Sequence, residues 1–169
     1  MRPKLANLLP RVPNECHPMT RSSSKPETPD TITHMSTTHH RLEYGLQTSG
    51  HYNGLLTAAK WAETRGLVAF AVPDHYLMAL NPEAEVPALD GLVQLAGLAR
   101  ETTSIELSVV VSPITFRHPS VLYKTGVTIA DMSGGRFKLG VGTGWLDREH
   151  EIYGIPYPDM KERFARLED

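Results

Sequence analysis

A single cysteine, Cys16, in 169 residues excludes a disulfide framework, and with no second cysteine beside it there is no thiolate metal site. That poverty suits a reducing cytoplasm, which is the expected location. Long hydrophobic runs are missing too: "LANLLP" stops at Pro10, short of what a signal peptide or a membrane span requires. Charge of neither sign dominates. Seventeen Lys and Arg against nineteen Asp and Glu leave a formal net charge of -2, so no basic field is available to hold nucleic acid or an anionic membrane. No HExxH or Cys/His spacing occurs, and His39 and His40 are merely adjacent in a polar stretch, so no metal site is expected.

Periodic apolar pattern is also absent from residues 1–38, where proline, serine and threonine prevail, as in "TRSSSKPETPDTITHMSTTHH". This stretch reads as a disordered leader or a mis-assigned start, with Met35 as an alternative first residue. Residues 39–169 form the expected folded domain.

From Leu42 the pattern becomes regular. "LEYGLQ" suits a strand, and Leu55, Ala58, Ala59 and Ala62 recur at helical offsets until Gly66, which can take the left-handed closing position. "LVAFAV" at 67–72 is a continuous apolar run stopped by Pro73, as parallel strands buried on both faces require. Asp90 caps a second helix through Leu92, Leu95, Ala96 and Ala99. "IELSVVV" at 105–111 supplies a third strand, a helix opens at Pro119 and runs to about Met132, and "RFKLGV" at 136–141 supplies a fourth strand. Strand starts near 42, 67, 105 and 136 are spaced by about 25 to 38 residues, near the roughly 31 per unit of an eight-unit barrel. The fold class is therefore α/β, and an open doubly wound sheet shares this alternation with a closed barrel.

Both architectures place sites just beyond the strand ends. The residues there are Gln47 and Ser49, Asp74 and His75, Ser112 with Arg117 and His118, and Gly142 to Asp147. The segment "SGGRFKLGVGTGW" holds five glycines in residues 133–145. Its spacing of Gly140, Gly142 and Gly144 puts Trp145 where the dinucleotide fingerprint needs its last glycine, and no Lys-Ser or Lys-Thr pair follows. Glycine at a strand end then serves the close approach of another backbone or of a flat ligand. His75 is the side chain best matched to proton transfer near neutral pH, and it can equally be a hydrogen-bonded rim residue. Asp74, adjacent on an extended chain, points to the opposite face and is not expected to orient His75. Arg136 and Lys138, two charges at a strand start, read as a solvated edge.

The strand-end "VPDHY", the "RHP" opening the third helix, and "SGGR" leading to "GVGTGW" and a nearby Glu together resemble the bacterial luciferase-like monooxygenase family, especially its deazaflavin-dependent branch. The resemblance runs from about Leu42 to Asp169. It implies the first four units of a (β/α)8 TIM barrel that is a homodimer at full length, binds coenzyme F420 or FMN at its carboxyl rim and acts on a small-molecule substrate. On that resemblance His75 is the catalytic acid/base, and Asp74, Val109, Val110, Ser112, Gly142, Thr143, Gly144 and Trp145 bind the cofactor. Gly142 to Gly144 would lie against the ring, Trp145 would wall the pocket, and a non-proline cis peptide is expected between Val109 and Val110. Similar sugar-phosphate dehydrogenases carry a Glu where this chain has Trp145, which counts against that substrate. The implied function is flavin- or deazaflavin-dependent oxidoreductase or monooxygenase chemistry, in a fragment whose strands one and four expose edges. A cofactor-free barrel lyase or isomerase using His75 as base, and an inactive truncated product, are the alternatives.

Overall fold

The computed structural model describes residues 42–77 and 87–168. The expectations for residues 1–38, including Met35 as a start, lie outside them. Strands β1 (Gly45–Gln47), β2 (Ala69–Val72), β3 (Glu106–Pro113) and β4 (Phe137–Gly142) lie side by side in chain order. Every pairing is parallel, with Leu46 opposite Phe70, Phe70 opposite Leu107, and Leu107 opposite Phe137. A helix follows each strand or its exit loop: α1 (Tyr52–Thr64), α2 (Gly91–Glu101), α3 (Pro119–Met132) and α4 (Asp147–Tyr153), with α5 (Met160–Glu168) after it. These are four successive β/α units of a parallel α/β sheet.

Local sequence accounts for the punctuation. Gly66, at φ +74°, follows the last turn of α1, where its N–H and that of Leu67 return to the carbonyls of Glu63 and Ala62. Asp90 caps α2 by accepting from the Val93 N–H at 3.0 Å. Pro119 occupies the first turn of α3, where a missing N–H costs nothing.

Alternation along the strands divides the sheet into two faces. Phe70, Val72, Leu107 and Val109 point to the helices and are buried against residues such as Leu55, Leu95, Leu98 and Ile129. The β3–β4 register steps from Val109 opposite Leu139 to Ser112 opposite Val141, so β3 carries an extra residue at this point. Val110 and Val111 occupy that irregularity, are both exposed by about 40%, and are joined by a cis peptide. This corrects the expected position by one residue. Val109 keeps its place in the ladder and its side chain in the core, so the departure from regular pairing begins after it.

Arg136 is also corrected. Rather than lying on a solvated edge, its guanidinium donates to the carbonyls of Ala99, Thr102, Ile105 and Ser133 and to the Thr102 hydroxyl, at 2.8 to 3.0 Å. It thereby ties the carboxyl ends of α2 and α3 to the start of β3. Lys138 is the exposed edge residue expected, with Glu106 at 3.7 Å. None of the helices among the described residues is long and apolar enough to cross a membrane.

Candidate functional site

Because all four strands are parallel, their carboxyl ends open on one rim, and the sequence-selected residues meet there in two layers. The lower layer is electrostatic. Asp74 is completely buried and accepts from the Ser112 hydroxyl at 2.6 Å and from both terminal nitrogens of Arg117. Arg117 bridges onward to Asp90 at 2.6 Å, joining the β2 exit, the end of β3 and the cap of α2. Burial opposes the Arg117 charge, but the hydrogen bonds and charges of Asp74 and Asp90 outweigh it and raise its pKa above the ordinary value. Such a buried pair holds its geometry because either partner alone would be an uncompensated charge.

The upper layer centres on His75. Its Nδ1 lies 2.9 and 3.1 Å from the two carboxylate oxygens of Glu149. Glu149, 1% exposed, also accepts the backbone N–H groups of Tyr76 and Leu77 at 2.8 and 2.9 Å. Three donors thus converge on one buried carboxylate. The carboxylate in turn sets His75 as an Nδ1–H donor and leaves Nε2 as the basic nitrogen. Trp145 meets the imidazole edge-on, with ring centroids 5.7 Å apart.

Aromatic packing holds α4, and with it Glu149, in place. Tyr76 stacks on Phe116 at 4.3 Å, and Tyr153 leans on Tyr76 at 5.0 Å. The Tyr76 hydroxyl has a raised pKa, chiefly from burial. His150, the residue after Glu149, is buried as well; its Nδ1 donates to the Leu146 carbonyl at 2.9 Å and its Nε2 accepts from the Thr115 hydroxyl at 2.7 Å.

The glycines of β4 have neighbours within the sheet. A Cβ on Gly140 would stand 2.5 Å from the Val109 carbonyl oxygen, and one on Gly142 would stand 2.8 Å from a Val111 methyl. Backbone approach of β3 therefore requires glycine at 140 before any ligand is considered. Beyond them Gly144 has φ +77°, and Arg163 of α5 holds the turn by contacting the carbonyls of Thr143 and Gly144. The result is a shelf at Gly140 and Gly142 of β4, where no side chain projects, beside the exposed methyl groups of Val110 and Val111 and the largely exposed Trp145.

His75, Val110, Gly142, Thr143, Gly144 and Trp145 thus meet at the rim. Asp74, Val109 and Ser112 do not reach its surface. Each has no exposed area, Val109 because its place in the ladder turns it to the helices, Asp74 and Ser112 because Arg117 covers them. Gln47 reaches across to donate to the Val110 carbonyl at 3.3 Å, Ser49 lines a cavity beside the rim, and exposed His118 caps α3 through the Ser120 N–H. Glu149 carries the arrangement and was marked in the sequence only as a Glu near the glycines. The signal that finds it is the "DREH" stretch that opens a short helix just after a strand end. Among the described residues there is no cluster of His, Cys, Asp and Glu able to hold a metal ion.

Comparison with known proteins adds the following. The family model described as luciferase-like monooxygenase matches residues 31–169. An F420-dependent glucose-6-phosphate dehydrogenase of Amycolatopsis mediterranei (strain U-32) is 33% identical over 132 residues, covering 76% of this chain and 39% of that protein. This chain spans well under half the length of the curated relatives it matches. Among solved structures, an F420-dependent secondary alcohol dehydrogenase in complex with an F420-acetone adduct superposes with a TM-score of 0.62 at 19% identity, over 73% of this chain and 38% of that one. The FMN complex of the oxygenating constituent of 3,6-diketocamphane monooxygenase from Pseudomonas putida gives 0.61 at 18% identity, over 74% and 37%. At such identities these two likenesses concern the fold.

Proposed function

This chain belongs to the luciferase-like monooxygenase family, and from that membership we propose that its strand-end rim is the amino-terminal part of the active centre of an F420- or FMN-dependent oxidoreductase. The observation that carries the reading is the buried Glu149 holding His75 Nδ1 beside a flat apolar shelf. The residues fit a planar ring: Val110 and Val111 offer methyl groups, Gly140 and Gly142 offer no side chain, and Trp145 stands at the open side. A bound flavin or deazaflavin supplies hydride acceptance and donation.

The rest of the chemistry belongs to the chain. With Nδ1–H fixed by Glu149, His75 Nε2 accepts the proton of a substrate hydroxyl as its carbon is oxidised, or returns it in the reverse direction. Glu149 stabilises the imidazolium that forms. The Asp74–Arg117–Asp90 bridge keeps the β2 exit rigid beneath His75. Of the two cofactors, F420 is favoured by the 33%-identical relative.

Equilibrium dialysis of the purified protein against F420 and FMN, carried to millimolar concentration, tests the reading. Saturable retention of one of them, lost in Val111→Asp, is expected. No retention of either leaves the cofactor-free lyase or isomerase and the inactive truncated product in its place.

A further inference from the structure

Beside the shelf, between the exits of β1 and β2, lies a cavity of about 530 Å³, and its wall is chemically lopsided. Val72, Pro73, Leu77, Pro87, Ala88 and Leu89 make it largely apolar. The polar lining comes from neutral groups, and two of the amides are already engaged: Gln94 donates to the Gly50 carbonyl at 2.9 Å and Gln47 to that of Val110 at 3.3 Å. No Lys, Arg, Asp or Glu lines it among the described residues; His75 and His51 are its titratable members. A volume of this size belongs to the range of small-ligand sites, which are mostly apolar with a few placed polar groups.

From this lining we infer that the cavity receives an uncharged, predominantly apolar substrate whose hydroxyl or carbonyl meets His75 Nε2. The inference rests on the oxidoreductase reading above. A phosphate ester buried here would find no cation among the described lining residues to offset its desolvation. The nearby arginines are committed elsewhere: Arg117 to Asp74 and Asp90, Arg163 to the carbonyls of the glycine turn. Leu77 and Pro87 pair as an antiparallel bridge in the cavity wall. A hydroxyl on Nε2 is well served by contrast, since Glu149 has already set the imidazole to accept.

The test is made without cofactor, by titrating cyclohexanol and, separately, glucose 6-phosphate into the purified protein and following amide and imidazole resonances. Cyclohexanol is expected to shift Leu77, Ala88, Leu89 and the His75 Nε2 signal saturably, with an affinity at least about tenfold above that for glucose 6-phosphate. Leu89→Lys, outside the catalytic machinery, should reverse that order. Glucose 6-phosphate binding as tightly as cyclohexanol in the unchanged protein, or cyclohexanol shifting only the Val111 and Gly142 shelf, overturns the inference. Dialysis separates the two claims: cyclohexanol in the cavity with neither cofactor retained upholds the substrate class and sinks the redox reading. Cofactor retained with the cavity resonances unmoved by cyclohexanol does the opposite.

Discussion

Glu149 Oε1 lies 2.9 Å from His75 Nδ1 across 74 residues of sequence, and the same oxygen accepts two backbone N–H groups of the segment that carries the histidine. One buried carboxylate thus sets the imidazole and the loop it stands on. Glu149→Gln keeps an acceptor for the backbone but removes the charge facing the imidazolium. Turnover should fall by about 100-fold, at the lower end of what general acid–base groups contribute. The ¹⁵N spectrum of His75 should also lose its single Nδ1–H tautomer. Unchanged tautomer and rate would reduce the pair to a packing contact.

Asp74 and Arg117 should behave as a structural unit. Asp74→Ala leaves a buried guanidinium with only the partly exposed Asp90 to face, and breaking such a pair costs about 3–5 kcal/mol. Urea denaturation should show that loss. The double variant Asp74→Ala with Arg117→Met should be less damaged than the single Asp74→Ala.

Glu63, at the end of α1, accepts the N–H groups of Thr103, Ser104 and Ile105 and the Ser104 hydroxyl, sealing the turn before β3. Burial pushes its pKa up, but these donors outweigh it and lower the value to about 2. The unfolded chain titrates near about 4.3. A depressed folded pKa stabilises fully above the unfolded value, and the contribution fades as pH falls toward about 2. Stability of the wild type relative to Glu63→Gln should therefore be greatest near neutrality and vanish in that acid window, as measured by urea midpoints across pH.

Gly140 and Gly142 should differ in their tolerance of a methyl group. Alanine at 140 meets the Val109 carbonyl, which is fixed in the sheet, whereas alanine at 142 meets a Val111 methyl that can turn about χ1. Overpacking costs about 1–3 kcal/mol, and Gly140→Ala should lie at the upper end, by thermal melts. Gly142→Val should lower cofactor retention by dialysis with a smaller stability loss.

Local chemistry carried most of the fold into the sequence. Helical offsets at Leu55, Ala59 and Ala62, the Asp90 cap, Pro119 and Gly66 each act within a few residues, so strand and helix order followed from reading along the chain. The choice of rim residues followed as well, because parallel strands send all their carboxyl ends to one side.

What distance along the chain separates, only the tertiary structure decided. Arg136 looked like an edge charge because the carbonyls that close α2, those of Ala99 and Thr102, lie 37 and 34 residues away. Asp74 and Ser112 looked like ligand contacts until Arg117 was seen to bury them, and α4 was too short to announce itself by periodicity. Burial is a property of the packed chain: pattern determines which face a residue takes, and only the neighbours brought in by folding determine whether that face meets solvent, a charge or a ligand.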